Sequence, residues 1–197
     1  MGQTEDILFS PAVKAEQDRL GSRTAFEGRE WKSEITDDLR QFLAAIDTFF
    51  FATASADGRP YIQHRGGPPG FLKPIGSHML AFADFAGNRQ YITLGHLKEN
   101  DRAHIFILHF ATQQRLKLWG RARVIEDDME LMERLVDPAY KAKPQRAIAF
   151  RIEAWDINCR QHIVARYSEA EIAPAVNQLT QRIKELEEEV ARLKGSP

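Results

Sequence analysis

The chain has 197 residues, 27 Lys and Arg against 28 Asp and Glu, a net charge of −1 at pH 7 and 43% hydrophobic residues. That length suits one substantial domain with an appendage, and the near-balanced charge supplies no basic field for a nucleic-acid backbone. A single cysteine, Cys159, excludes an intramolecular disulfide and a multi-cysteine metal site, and it fits a reducing compartment.

Residues 1–33 are polar and form an N-terminal helical extension. Within it "SPAVKAEQDRLGSR" predicts one helix, capped by Ser10, opened by Pro11 and ended at Gly21. "TDDLRQFLAAIDTF" predicts another. Thr36 is its N-cap, Asp37 and Asp38 favour its positive end, and Leu39, Phe42, Leu43 and Ile46 form a core-facing stripe. From residue 49 the character changes. "FFFATAS" and "RPYIQHR" flank "ADG", a hairpin signal, and "SHMLAFAD" predicts a third strand. "GNRQYITLGHLKEND" predicts a loop entering a short helix with Asn88 as its cap. "RAHIFILHF" and "RLKLWGRARVIE" are two more strands across polar "ATQQ". "DDMELMERLV" is a helix with an acidic start, and "AIAFRIEAWDIN" is the last long strand. Six strands at hairpin spacing with few helices predict a mainly β fold, an antiparallel barrel or sandwich with flanking helices.

Residues 169–197 differ again. Ile172, Val176, Leu179, Ile183, Leu186, Val190 and Leu193 recur in steps of four and three, flanked by Gln, Arg, Lys and Glu. This stripe fits an amphipathic helix lying on its own domain or a coiled coil with a partner helix. No apolar run approaches the ~20 residues of a membrane span, and "MGQTEDILFS" lacks the basic-then-apolar pattern of a secretory leader. A cytoplasmic location is the expectation.

Several stretches carry side chains suited to chemistry. In "GNRQ", Gly87 permits close backbone approach, Asn88 stands before a helix whose first-turn amides are partly positive, and Arg89 adds a fork of donors suited to phosphate. Arg65, beside His64 in "QHRGGPPGF", is a second cation at a strand end. Arg115 and Lys117 alternate on one strand and so share a face. In "AWDINCRQHIVARYS", Trp155 offers a flat surface, and Asn158, Gln161 and His162 can hydrogen-bond the edge of a heteroaromatic ring. Cys159 has no cysteine partner and is expected to be a small buried hydrophobe. His78, His96, His104 and His109 have no metal-ligand spacing, and GxSxG, Walker and GxGxxG motifs are absent.

Taken together, "FFFATASADGRPYIQHRGGPPGF", "LAFADFAGNRQYITLGHLKENDRAHIFIL", "LKLWGRARVI" and "WDINCRQHI" resemble the pyridoxamine 5′-phosphate oxidase-like family of FMN-binding split β-barrels. The resemblance covers roughly residues 40 to 168. It implies a six-stranded antiparallel split barrel over residues 34–168 and a homodimer with FMN at the subunit interface. Arg65 matches a family arginine that holds FMN, with "GGPPG" interrupting the strand before Lys73. Gly87, Asn88, Arg89 and Gln90 stand where the family has a Gly-Ser-Arg-Lys run at the phosphate, and Arg115 stands where it has a glutamine. Trp155 and Arg166 match a family tryptophan and arginine, and Gln161 and His162 replace an arginine and a histidine that face the substrate.

The implied cofactor site is therefore His64, Arg65, Asn88, Arg89, Gln90, Arg115, Lys117, Trp155, Gln161 and Arg166, with His162 as a proton donor because imidazole titrates near neutrality. Gly66 to Pro69 would form a stiff turn setting Arg65 and His64 against the flavin. The expected function is an FMN-dependent oxidoreductase acting on an unassigned small molecule. The alternatives are a flavin- or haem-binding sensor or store without turnover, and a dimeric scaffold that binds neither.

Overall fold

The computed structural model describes residues 3–158 and 161–195. The chain forms two compact units, Met1–His109 with Gln114–Cys159, and Phe110–Gln113 with Arg160–Pro197.

The first unit begins with α1 (Gln3–Leu8), α2 (Pro11–Arg19) and α3 (Asp37–Ala44). Ser10 and Thr36 cap α2 and α3, each accepting an N–H three residues on, and Gly21 adopts a positive φ after α2. The strands are β1 (Thr48–Ala54), β2 (Pro60–Gly66), β3 (Lys73–Pro74), β4 (Met79–Phe85), β5 (Arg102–His109), β6 (Gln114–Ile125) and β7 (Pro144–Asn158), with α4 (Ile92–Glu99) and α5 (Met129–Leu135) between them. They make one antiparallel sheet in the order β2-β1-β5-β6-β7-β4-β3. The expected six strands are seven. The addition is β3, two residues long, which the interruption by Gly66 to Gly70 separates from β2 and which pairs Lys73 and Pro74 with Ala81 and Leu80.

Period-two burial decides which way each strand faces. In β1, Phe49, Phe51 and Thr53 are buried and their neighbours are not. β1 and β4 are not neighbours in the sheet, yet Phe49 meets Phe82 edge-to-face at 5.1 Å and Phe51 meets it at 5.7 Å. The sheet therefore curls until its two ends face each other across a phenylalanine core, which α3 closes with Leu39 and Leu43. Burying each such side chain contributes about 1.5–3 kcal/mol. A bulge opposite Trp119 and Gly120, with Glu153 as the extra residue, helps β7 bend. A Cβ at Gly120 would stand 2.0 Å from the Arg151 carbonyl oxygen, so the close strand approach requires glycine.

The segment before α3 is stitched to β7. Trp155 donates its backbone N–H to the Lys32 carbonyl and its indole N–H to the Glu34 carbonyl, both at 2.8 Å. The "GGPPG" turn is likewise tied to its own chain. Gly67 N–H donates to the Asp47 carbonyl at 3.0 Å and Gly70 N–H to that of Ile46 at 2.8 Å, and Phe71 stacks on Phe49 at 5.3 Å.

The second unit centres on α6 (Glu169–Lys194), opened by a capping box between Ser168 and Glu171. Gln113 donates to the Ile163 carbonyl at 2.6 Å, and the Arg166 guanidinium lies 5.0 Å from the Phe110 ring centre. No residue of α6 is buried. Cys159 lies outside the described residues. Among those described, no helix is long and apolar enough to cross a membrane, and no three His, Cys, Asp or Glu side chains gather as a metal-binding group.

Candidate functional site

β2 carries Tyr61, Gln63 and Arg65 on the side shared with the core residues of β1, and Ile62 and His64 on the other. Arg65 thus projects across the curled sheet toward β4. One of its terminal nitrogens donates to Asp84, and the other donates to the Thr93 hydroxyl at 3.4 Å. The Thr93 hydroxyl donates in turn to Gln63 at 3.3 Å. Arg65 and Asp84 are only 12% and 10% exposed, a buried pair that needs its full set of partners. Arg146 approaches the same carboxylate at 3.9 Å. Arg146 also approaches Glu126 at 3.7 Å, so two guanidinium groups here face two carboxylates. The Nε atoms of Arg65 and Arg146 are buried without a hydrogen-bond partner in the structure, which is rare for a buried donor.

The Gly87–Gln90 loop forms the facing wall. Asn88 does not cap α4 as expected. Its side chain accepts the Gln90 N–H at 3.2 Å, and the cap position falls to Tyr91, whose side chain makes no capping bond. Hydrogen bonding inside the Asx turn wins over capping, and it delays the helix by three residues. Arg89 and Tyr91 both hold left-handed backbone, with φ of 61° and 55°. Such conformations cost about 1 kcal/mol or more each and concentrate at functional sites. Arg89 donates to the Tyr91 hydroxyl at 3.4 Å, a contact that raises the guanidinium pKa further above its ordinary value.

Arg65, Asn88, Arg89, Gln90, Thr93 and Gln145 line a cleft of about 50 Å³, room for a phosphate-sized group and not for a flavin ring system. A second cleft of about 160 Å³ adjoins it through Gln63, Arg65 and Phe85, floored by Phe71 and Phe82. The donor set and the orphaned Arg65 Nε fit a phosphate-bearing aromatic cofactor.

Within the sheet unit the structure brings Arg65, Asn88, Arg89 and Gln90 to the first cleft and sets His64 beside Arg65 at the second. His64 is on the opposite side of β2 from Arg65, hydrogen-bonded through Nε2 to the Thr48 hydroxyl at 2.6 Å, because neighbours on a strand alternate. Both residues nevertheless line the second cleft, next to Gly66 at the start of the glycine-proline turn. Lys73 donates to the Arg134 carbonyl at 2.8 Å beside the end of α5. Trp155 is buried in the core. Gln161, His162 and Arg166 belong to the second unit, where the first two are exposed.

Arg115 and Lys117 share the outer face of β6, as their spacing requires. Lys117 lies 5.7 Å from the Trp119 ring centre. Burial pulls its pKa down, the charge of Asp156 partly restores it, and Arg115 lowers it again. Opposite Trp119 on β5, His104 is pushed down to about 4, first by burial and then by the charge of Lys117.

Sequence reasoning missed Gln63, Asp84, Thr93 and Arg146. Asp84 carried a signal: a lone carboxylate in the apolar strand "LAFADF" demands a counter-charge. Arg146 carried none.

A family model described as pyridoxamine 5′-phosphate oxidase matches residues 35–161. Among solved structures, a variant of HupZ from Group A Streptococcus aligns with a TM-score of 0.51 at 13% identity, covering 63% of this chain and 99% of that one. A putative pyridoxamine 5′-phosphate oxidase from Lactobacillus delbrueckii aligns at 0.48 and 16%, covering 64% and 95%. An FMN-binding protein from Syntrophomonas wolfei aligns at 0.47 and 15%, covering 75% and 95%. The first of these likenesses shows a shared fold. No curated protein matches the chain.

Proposed function

The chain belongs to the pyridoxamine 5′-phosphate oxidase family, and from that premise we propose that it is an FMN-dependent oxidoreductase whose phosphate site is the cleft between β2 and the Gly87–Gln90 loop. The observation that carries this reading is the convergence of Arg65 and Arg89 on that cleft, with one buried guanidinium N–H still unpartnered. Arg89 and the side-chain NH2 groups of Asn88 and Gln90 would hold the phosphate. Arg65, positioned by Asp84 and Thr93, would stand between phosphate and ring, because it lines both clefts. FMN supplies two-electron redox chemistry when bound. The protein's part is to bind, orient and exclude water.

Neither of these two clefts has room for a flavin ring, but a neighbouring cleft of about 640 Å³, lined by Leu97, Lys98, Arg123 and Arg146, shares Tyr91 and Leu94 with the phosphate cleft and has that room, and a second copy would cover it. The outer face of β1, β2, β5 and β6 suits that role. It carries half-buried Phe50, Phe106, Leu108 and Trp119 around Ile62, which is 60% exposed. Arg115 and Lys117 lie on this same face.

Fluorescence titration with FMN tests the reading. Arg89→Ala and Arg65→Ala should each weaken binding by about ten- to a hundredfold, since losing a charge-assisted contact costs about 1.5–3 kcal/mol. Unchanged affinity in both variants would remove the phosphate assignment. Anaerobic reduction of the FMN-loaded protein by NADH and NADPH, followed at the flavin absorbance band, then tests turnover.

A further inference from the structure

The seven apolar side chains of α6 are 43 to 70% exposed, in a helix of 26 residues that buries nothing. Most helical stability in proteins comes from packing such a face, so the stripe calls for a partner. Its register says which. With Ile172 at d, the d positions are Ile172, Leu179, Leu186 and Leu193, and the a positions are Val176, Ile183 and Val190. Every a residue is β-branched, and leucine dominates d. In parallel coiled coils that division favours two strands over three or four.

The flanking charges select the alignment. The g positions hold Arg182 and Glu189, and the e positions hold Glu187 and Lys194. In a parallel, in-register pair each g residue lies beside the e residue of the following heptad on the other helix. Arg182 then meets the partner's Glu187, and Glu189 meets the partner's Lys194. Both contacts join opposite charges, and symmetry makes each twice. A slip of one heptad would set Arg182 beside the partner's Lys194 and Glu189 beside the partner's Glu187, both repulsive. Pro174 falls at f, on the far side from the seam, where its missing N–H does not disturb packing. Thr180, at e, bonds the Val176 carbonyl of its own helix at 2.9 Å and adds no competing charge.

We infer that α6 pairs with α6 of a second copy of this chain as a parallel, in-register, two-stranded coiled coil. The occupant is the chain itself because the complementary charges are supplied by one sequence facing its own copy. This assignment is independent of flavin binding.

Disulfide trapping in the full chain tests it. A Cys159→Ser background leaves any introduced cysteine as the sole thiol. Leu179→Cys, at d, should cross-link to itself under mild oxidation at least about tenfold faster than Gln181→Cys at f, because pairing raises the local thiol concentration. Equal rates would overturn the proposal, since another protein or the chain's own sheet unit would then cover the stripe. Leu193→Cys repeats the test at the far end if Leu179→Cys loses helical circular dichroism. Differently tagged Leu179→Cys and Val190→Cys chains, mixed, report the antiparallel alternative. A hetero-disulfide forming faster than the Leu179→Cys homodimer would overturn the parallel register. Glu187→Lys should slow trapping, and adding Arg182→Glu to the same chain should restore it. Absence of restoration would overturn the in-register charge pairing.

Discussion

The sheet unit and the α6 unit place their apolar side chains in opposite ways. In the sheet unit Phe49, Phe51, Phe82 and Phe150 are fully buried by their own chain, and buried charge enters in opposed sets such as Arg65, Asp84 and Arg146. In α6 a comparable set of aliphatic side chains is left exposed by the chain that carries it. Both patterns obey the same tendency to remove apolar area from water. They differ in what removes it. A curled sheet closes on itself, whereas one helix cannot cover its own stripe. Mutations in the two regions should therefore be read on different scales, folding free energy in the first and association in the second.

The largest expected effect tests the closed core. Phe150→Ala should destabilise the sheet unit by about 3–5 kcal/mol, the range for a fully buried aromatic truncated to a cavity. Urea titration followed by tryptophan fluorescence reads this unit alone, because Trp31, Trp119 and Trp155 all lie in it. A loss below about 1 kcal/mol would break the contrast with α6.

The next effect is pH-dependent. His104 is held at about 4 in the folded protein, against an ordinary 6.5. Its contribution is complete above pH 6.5, is lost as pH falls toward 4, and amounts to at most about 3 kcal/mol. His104→Gln should flatten the stability profile in that window, as urea midpoints at successive pH values would show. A profile as steep as the parent's would mean that His104 is not buried in solution.

Arg89→Ala sharpens the comparison from the side of the site. Arg89 is exposed, so its loss should leave unfolding within about 0.5 kcal/mol while weakening FMN by the factor given above. A variant that loses flavin only because it unfolds would fail this pair of measurements. The smallest effect belongs to α6. Leu186→Ala should move the urea midpoint of the sheet unit by no more than about 0.5 kcal/mol, against several for Phe150→Ala. A large shift would show that the stripe is covered by the sheet unit.

Much of this was readable before any coordinates. The strands of "FFFATAS", "RAHIFILHF" and "RLKLWGRARVIE", the caps Ser10 and Thr36, and the heptads of α6 all follow from periods and end signals that depend on a few consecutive residues. The sharing of a face by Arg115 and Lys117 follows from the two-residue repeat of a strand. Local rules failed where two of them competed, as at Asn88, whose side chain turned to Gln90 rather than to the helix.

What sequence alone determined is thus the kind of each element, the side on which its residues lie, and the spacing of the α6 stripe. Tertiary structure alone decided which distant elements meet. Nothing local relates Arg65 on β2 to Asp84 on β4 and Arg146 on β7, because β2 and β4 stand five places apart in the sheet order and touch only when the sheet curls. The same curl buries Trp155 and sets Arg89 across from Arg65. Period and capping act over a few residues of backbone, whereas closure is settled by the packing of the whole phenylalanine core.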